Sequence, residues 1–187
     1  MSHYFKPFPV ISYKLAGMTP TIAVTDITRR FALTSLLRNN AAIYFDYEVK
    51  DGERPDIIAH KYYEDETLDW LVLLTNEIHD PYFKWPLTYE NFINYIRQKY
   101  GSVSAAKETT HHYEKTIQAM SHNDDGTLIP KRTVIVDYTT YLTDVANSRI
   151  VDTYTYEDEL NESHRNIKIL DERFLGIVTD THRRIFN

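Results

Sequence analysis

From Ala42 to Lys50 the apolar side chains fall on every second position, at Ile43, Phe45, Tyr47 and Val49. That period predicts a strand with one buried face. Asp51-Gly52 then marks a turn. Pro55 suits the first turn of a helix, where its missing N–H is not needed, and the helix carries Ile57, Ile58, Ala59 and Tyr62. From Thr67 to Ile78 the chain is apolar almost all round, with Leu68, Trp70, Leu71, Val72, Leu73 and Leu74, which predicts a helix buried on several sides. Asp80-Pro81 opens a turn bearing Tyr82 and Phe83, and Trp85-Pro86-Leu87 reads as a short return strand. Thr88 caps a further helix with Phe92, Ile93, Ile96 and Tyr100 on one stripe and Gly101 as its stop.

The flanks follow other patterns. Pro7, Pro9, Gly17 and Pro20 break any period in residues 1–24 and predict an extended arm, whose Tyr4, Phe5, Phe8 and Tyr13 should lie on the core or on a partner. A helix is expected from Thr25 or Asp26 to Leu37. After Ser102, strands are expected at Glu108–Ile117 and Thr133–Leu142, separated by a hairpin turn at Asn123-Asp124-Asp125-Gly126. Thr155 and Asp158 mark the start of a polar helix. Ile167, Ile169 and Leu170 mark a short strand, and Asp171 caps a last helix. The whole reads as an α+β protein in three parts. Residues 1–40 form an N-terminal arm and helix, 41–101 a core with its following helix, and 102–187 a C-terminal β-hairpin and helix extension.

Composition narrows the function. The chain is 42% hydrophobic and 26% charged, with a net charge of −6, which argues against a general nucleic-acid binder and against an anionic membrane surface. There is no cysteine, so disulfides, thiolate metal sites and a cysteine nucleophile are excluded. No apolar run approaches the ~18 residues of a membrane span. Pro7, Pro9 and Lys14 interrupt any secretory apolar region. Tyrosine is abundant, with 15 copies; interfaces favour it, as do strands and half-buried faces.

The residues offer little chemistry. The five glycines stand far apart, so no phosphate-cradling loop forms, and neither a nucleophile elbow nor an H-E-x-x-H zinc signature is present. His111 and His112 are adjacent on an expected strand and should point to opposite faces. His122 with Asp124 and Asp125 reads as a solvated loop, and Glu66 with Asp69 and the Glu157-Asp158-Glu159 run as solvated helix faces. No enzyme, metal or cofactor is expected. The Asp80–Trp85 turn supports two readings that can both hold. Its aromatics can cover the core, and a rigid turn bearing Tyr82, Phe83 and Trp85 is a good binding patch; both hold with Trp85 inward and Tyr82 or Phe83 outward.

The strand, turn, two helices and return strand follow the β-α-α-β order of a LysM module. Within it, Arg54-Pro55, Ala59, Tyr62, Trp70, Leu73-Leu74, Asn76, Asp80-Pro81-Tyr82 and Trp85 resemble the LysM-like baseplate wedge proteins, wedge subunit fifty-three, of T-even-like contractile-tailed bacteriophages. Pro20-Thr21-Ile22 with Thr25-Asp26-Ile27 looks like that family's N-terminal segment. Val151-Asp152-Thr153-Tyr154, Asn161-Glu162, Arg165 and Ile167-Lys168-Ile169 look like its C-terminal helix and strand. Residues 107–148 match less clearly, and Tyr63-Glu64 stands where LysM modules often place a glycine.

The resemblance implies a non-enzymatic structural protein of the virion tail baseplate, made in the host cytoplasm and free of cofactors. It implies binding to other inner wedge proteins and clamping of neighbouring wedges into the six-fold ring, with hub or sheath-initiator proteins as further partners. Nucleic acid and membrane are not implied. The expected partner contacts are Tyr4, Phe5, Phe8, Arg54, Asp80, Tyr82 and Phe83, and the expected LysM-like core is Tyr62, Trp70, Leu73, Leu74 and Trp85. The alternative is a peptidoglycan-binding LysM module, with sugar held by Asp51–Arg54 and Asn76–Trp85.

Overall fold

The computed structural model describes residues 3–14, 16–17 and 21–184. Mixed helices and strands follow one another as β1 (Val10–Tyr13), β2 (Ile22–Thr25), α1 (Ser35–Arg38), β3 (Tyr44–Glu48), α2 (Pro55–Tyr63), α3 (Asp69–Thr75), α4 (Pro81–Lys84), α5 (Tyr89–Tyr100) and α6 (Val103–Glu108). Then come β4 (Thr110–Gln118), β5 (Ser121–His122), β6 (Leu128–Ile129), β7 (Arg132–Val136), α7 (Tyr138–Thr143), β8 (Ser148–Asp152), α8 (Thr153–Ser163), β9 (Asn166–Leu170) and α9 (Glu172–Arg184). The chain divides into two compact units, 1–86 with 164–187, and 87–163. Its cuts fall at 86/87 and 163/164, whereas the sequence reading cuts at 40/41 and 101/102.

In the first unit β3 pairs antiparallel with β9, Tyr44 opposite Leu170 and Glu48 opposite Asn166. The helices α2 and α3 close over this pair and bury Ile58, Ala59, Leu71 and Val72 against Ile43, Val49, Ile169 and Leu170. Fully burying a Val, Leu or Ile contributes about 1.5–3 kcal/mol, so this cluster dominates the unit's stability. The return strand expected at Trp85-Pro86-Leu87 does not form. Pro86 has no N–H for a ladder, the Trp85 indole N–H donates to the Glu53 carbonyl at 2.9 Å, and β9 takes the place beside β3.

Local hydrogen bonding explains the other departures. Asp26 accepts from both the N–H and the hydroxyl of Thr28, closing a small turn that competes with the expected helix, of which only α1 remains. The arm is not extended throughout: a 3-10 turn at His3–Phe5 leads to an antiparallel β1–β2 ribbon. Phe8 is buried, and the Tyr4 hydroxyl accepts from the Phe31 N–H. Asn40 accepts from the Ala42 N–H and starts a 3-10 turn through Ile43. Ile43 therefore lies outside the strand, the expected alternation fails, and Phe45 is 55% exposed. Tyr62, expected in the core, is at the surface. Tyr63 is buried instead and donates its hydroxyl to the Leu170 carbonyl at 3.0 Å.

The second unit starts as expected. Thr88 caps α5 through the Asn91 N–H, and Gly101, at φ +82°, ends it in a conformation that L side chains rarely adopt. Phe92, Ile96 and Ala106 form a buried apolar cluster there. A three-stranded antiparallel sheet runs in the order β7-β4-β8, and the Asn123–Gly126 turn joins β5 to β6. The strand expected to reach Leu142 stops at Val136, because Asp137 accepts from the Thr140 N–H and caps α7. Asp152, not Thr155, caps α8. The helix α6 and strand β8 were not expected from the sequence. A register shift between Thr110 and His112 breaks the alternation of β4. The rings of His111 and His112 consequently meet, with their Nδ1 atoms 2.7 Å apart, instead of pointing to opposite faces.

Candidate protein-docking site

The exposed aromatic turn is built from its cap upward. Asp80 accepts from the Tyr82 N–H at 3.0 Å, and Pro81 fixes the first position of α4. This holds Tyr82 at 85% exposure and Phe83 at 76%, their rings 5.7 Å apart. Beneath them Trp85 packs against the core, and its indole N–H is held by the Glu53 carbonyl. A water-facing apolar pair on an ordered mount loses little conformational freedom when a partner covers it.

Glu53 secures this mount from the other side. Its carboxylate accepts from the Tyr47 hydroxyl at 2.7 Å and the Lys50 N–H at 3.0 Å. Burial pushes that carboxyl up, but the Tyr47 hydroxyl, the Lys50 N–H and the nearby Lys61 ammonium outweigh it, and its pKa lies below the ordinary value. Arg54, expected at an interface, is exposed and pairs with Asp56 on the first turn of α2.

The N-terminal candidates lie differently. Phe8 is buried and Tyr4 packs on the core, while Phe5 is 49% exposed. Tyr4 stacks on His182 at 5.3 Å, and His182 also meets Trp70 at 4.6 Å and Phe31 at 5.0 Å. Burial holds the His182 pKa below its ordinary value, which favours the neutral ring among these aromatics. Tyr4 and Phe8 therefore serve the fold, and only Phe5 of this group offers a free face. Trp70 is buried and Leu73 and Leu74 half-buried, and all three line a cleft of about 230 Å³ with Tyr4, Phe31 and Ile78.

Several pinning residues carry no period or motif of their own. The Asn76 amide accepts from the Lys168 N–H at 2.7 Å and donates to the Lys168 carbonyl at 2.8 Å, reading that residue as a neighbouring strand would. In the second unit, Asn161 treats Leu87 alike, accepting from its N–H and donating to its carbonyl. Buried Glu157 accepts from Lys99 at 2.6 Å, Tyr100 at 2.7 Å and Tyr95 at 3.1 Å. Burial pushes the Glu157 carboxyl up, but the Lys99 and Tyr100 contacts outweigh it and hold it down. The Glu157-Asp158-Glu159 run is thus not wholly a solvated face. In the sequence Asn76 and Asn161 stand out only through the resemblance, and Glu157 only as part of an acidic run.

The segments expected to hold sugar have internal partners for their main polar groups. The Asn76 amide is engaged by Val72 and Lys168, and the Trp85 indole by Glu53. Among the described residues no group of three or more metal-ligating side chains converges, and no helix is long and apolar enough to cross a membrane.

Comparison with known proteins agrees with an assembly role. A family model described as base plate wedge protein 53 matches residues 3–182. Baseplate wedge protein gp53 of Enterobacteria phage T4 is 28% identical over 173 residues, covering 89% of this chain and 86% of that relative.

Proposed function

The chain belongs to the base plate wedge protein 53 family, structural components of the phage tail baseplate, and from that premise we propose that it works as a clamp. It binds other inner wedge proteins and helps hold adjacent wedges in the six-fold ring, with hub or sheath-initiator proteins as further neighbours. Tyr82 and Phe83 are its principal handle, and Phe5, Arg54 and Asp80 lie among its contacts. It catalyses no reaction. It is made in the host cytoplasm and acts in the assembled virion.

The observation that carries this reading is the pairing of two almost fully exposed aromatic rings with a fixed mount. On this reading the strand, two helices and distant strand β9 stand in for a LysM-like unit, with β9 in the place the sequence offered to Trp85-Pro86-Leu87. In that unit the segment that would grip sugar in a glycan binder serves protein contact instead. A pull-down from infected-cell lysate with the tagged chain tests the proposal. It should return other baseplate proteins. Recovery of cell-wall fragments without baseplate proteins would overturn it.

A further inference from the structure

The two sides of the β3–β9 pair are treated differently. The Val49 N–H donates to the Arg165 carbonyl, and the Asp171 N–H to the Ile43 carbonyl, each at 2.8 Å. This parity turns the backbone groups of residues 43, 45, 47 and 49 toward β9, and those of Asp46 and Glu48 away from it. On the far side of β9, Asn76 covers Lys168 and Tyr63 covers the Leu170 carbonyl. Among the described residues the outer edge of β3 has no such cover: Phe45, Asp46 and Glu48 are all exposed, and neither acid forms an ion pair. An open edge of this kind is a template for another strand.

The same chain carries a strand of matching character. Among the described residues the β1–β2 ribbon pairs only with itself, and its strands are four residues each. Two-stranded ribbons are marginal in water, and here Val10, Ile11, Tyr13 and Ile22 are all exposed. The Asp26 N–H donates to the Pro9 carbonyl at 2.8 Å, which turns Val10 and Ser12 toward the ribbon's outer edge. Residues 1–45 hold five basic side chains against the one acid Asp26, whereas residues 46–80 hold eleven acids against three bases. Lys14, at the end of β1, is exposed and has no ion pair among the described residues.

We infer that the outer edge of β3 receives strand β1 from a second copy of this chain, in a register that sets Lys14 beside Asp46 and Glu48. The donor and acceptor edges differ, so the contact is head-to-tail and each copy can both give and receive a strand. Such a contact closes into a ring or grows into a filament.

Sedimentation equilibrium of the full chain at rising concentration tests this, with the unfolding midpoint of every variant as the fold control. The wild type should associate beyond the monomer. Asp46→Lys with Glu48→Lys should weaken association at least about tenfold, as should Lys14→Glu alone acting from the other partner, since close charge pairs at an interface carry couplings of this order. Combining all three changes in one chain should restore it. Asp46→Pro, which removes an edge N–H, should abolish it. A wild type that stays monomeric throughout, association that survives Asp46→Pro, or charge reversals that the combined variant fails to rescue would each overturn the inference. Binding to wedge proteins is read separately, so either result leaves the Tyr82-Phe83 handle to its own test.

Discussion

Glu64 closes α2 with φ at 55°, the left-handed region where an L side chain costs about 1–2 kcal/mol. The sequence places it where LysM modules often have glycine, and the backbone does adopt the glycine-like conformation there. Glu64→Gly should accordingly stabilise the chain by about 1 kcal/mol, read as a higher denaturant midpoint with an unchanged slope. A lower midpoint would contradict this. Asn76 makes the opposite case, since it holds the Val72 carbonyl of α3 with one amide hydrogen bond and Lys168 of β9 with two more. Asn76→Ala leaves the backbone of Lys168 without its partners and should cost about 1–3 kcal/mol in the same measurement. At His182, burial favours the neutral ring. The folded chain therefore binds fewer protons than the unfolded chain as pH falls below the ordinary histidine value of about 6.5. The stability associated with the neutral ring is complete above that pH and is lost as pH falls through it. Denaturation at pH 7.5 and 5.5 should show this loss, and His182→Leu should reduce it. An unchanged pH dependence in the variant would remove His182 from the account.

At the scale of elements, α4 is a mount and α3 is core. Replacing Tyr82 and Phe83 together with Ala should change stability by less than about 0.5 kcal/mol, because both rings face water, whereas Trp70→Ala should cost about 3–5 kcal/mol. A large loss of stability in the double variant would assign the turn to the core. The elements readable from the sequence are those that local rules decide: Pro55 opening α2, Thr88 and Gly101 bounding α5, Asp171 capping α9, and the apolar run of α3. An inward Trp85 with Tyr82 or Phe83 outward is what the sequence suggests; in the structure Trp85 packs on the core and both Tyr82 and Phe83 face water. The errors arise where a short polar side chain redirects the backbone, as Asp26, Asn40, Asp137 and Asp152 do. The partner of β3 was unreadable for another reason. It lies more than a hundred residues away, and no local period distinguishes β9 from the nearer Trp85–Leu87. His182 and Glu157 were likewise set by distant contacts that no spacing in the sequence reveals.

For the whole molecule, the order of the chain matters as much as its contacts. Residues 87–163 form their own unit before β9 returns to complete the first, so the first unit cannot finish its two-stranded pair until the second has been synthesised. A chain truncated at Ser163 should therefore lack a cooperative unfolding transition for residues 1–86, which stepwise denaturation followed by Trp70 and Trp85 fluorescence would detect. Retention of that transition would show that β9 is dispensable. The exposed Tyr82-Phe83 pair on its ordered mount is the feature on which the proposed assembly role rests. The most direct test is to measure how much of the tagged chain co-sediments with baseplates from infected cells, comparing the wild type with the Tyr82→Ala, Phe83→Ala variant. The wild type should travel with baseplates, and the variant should remain in the unassembled fraction with its unfolding midpoint unchanged. A folded variant that enters baseplates as fully as the wild type would contradict the account.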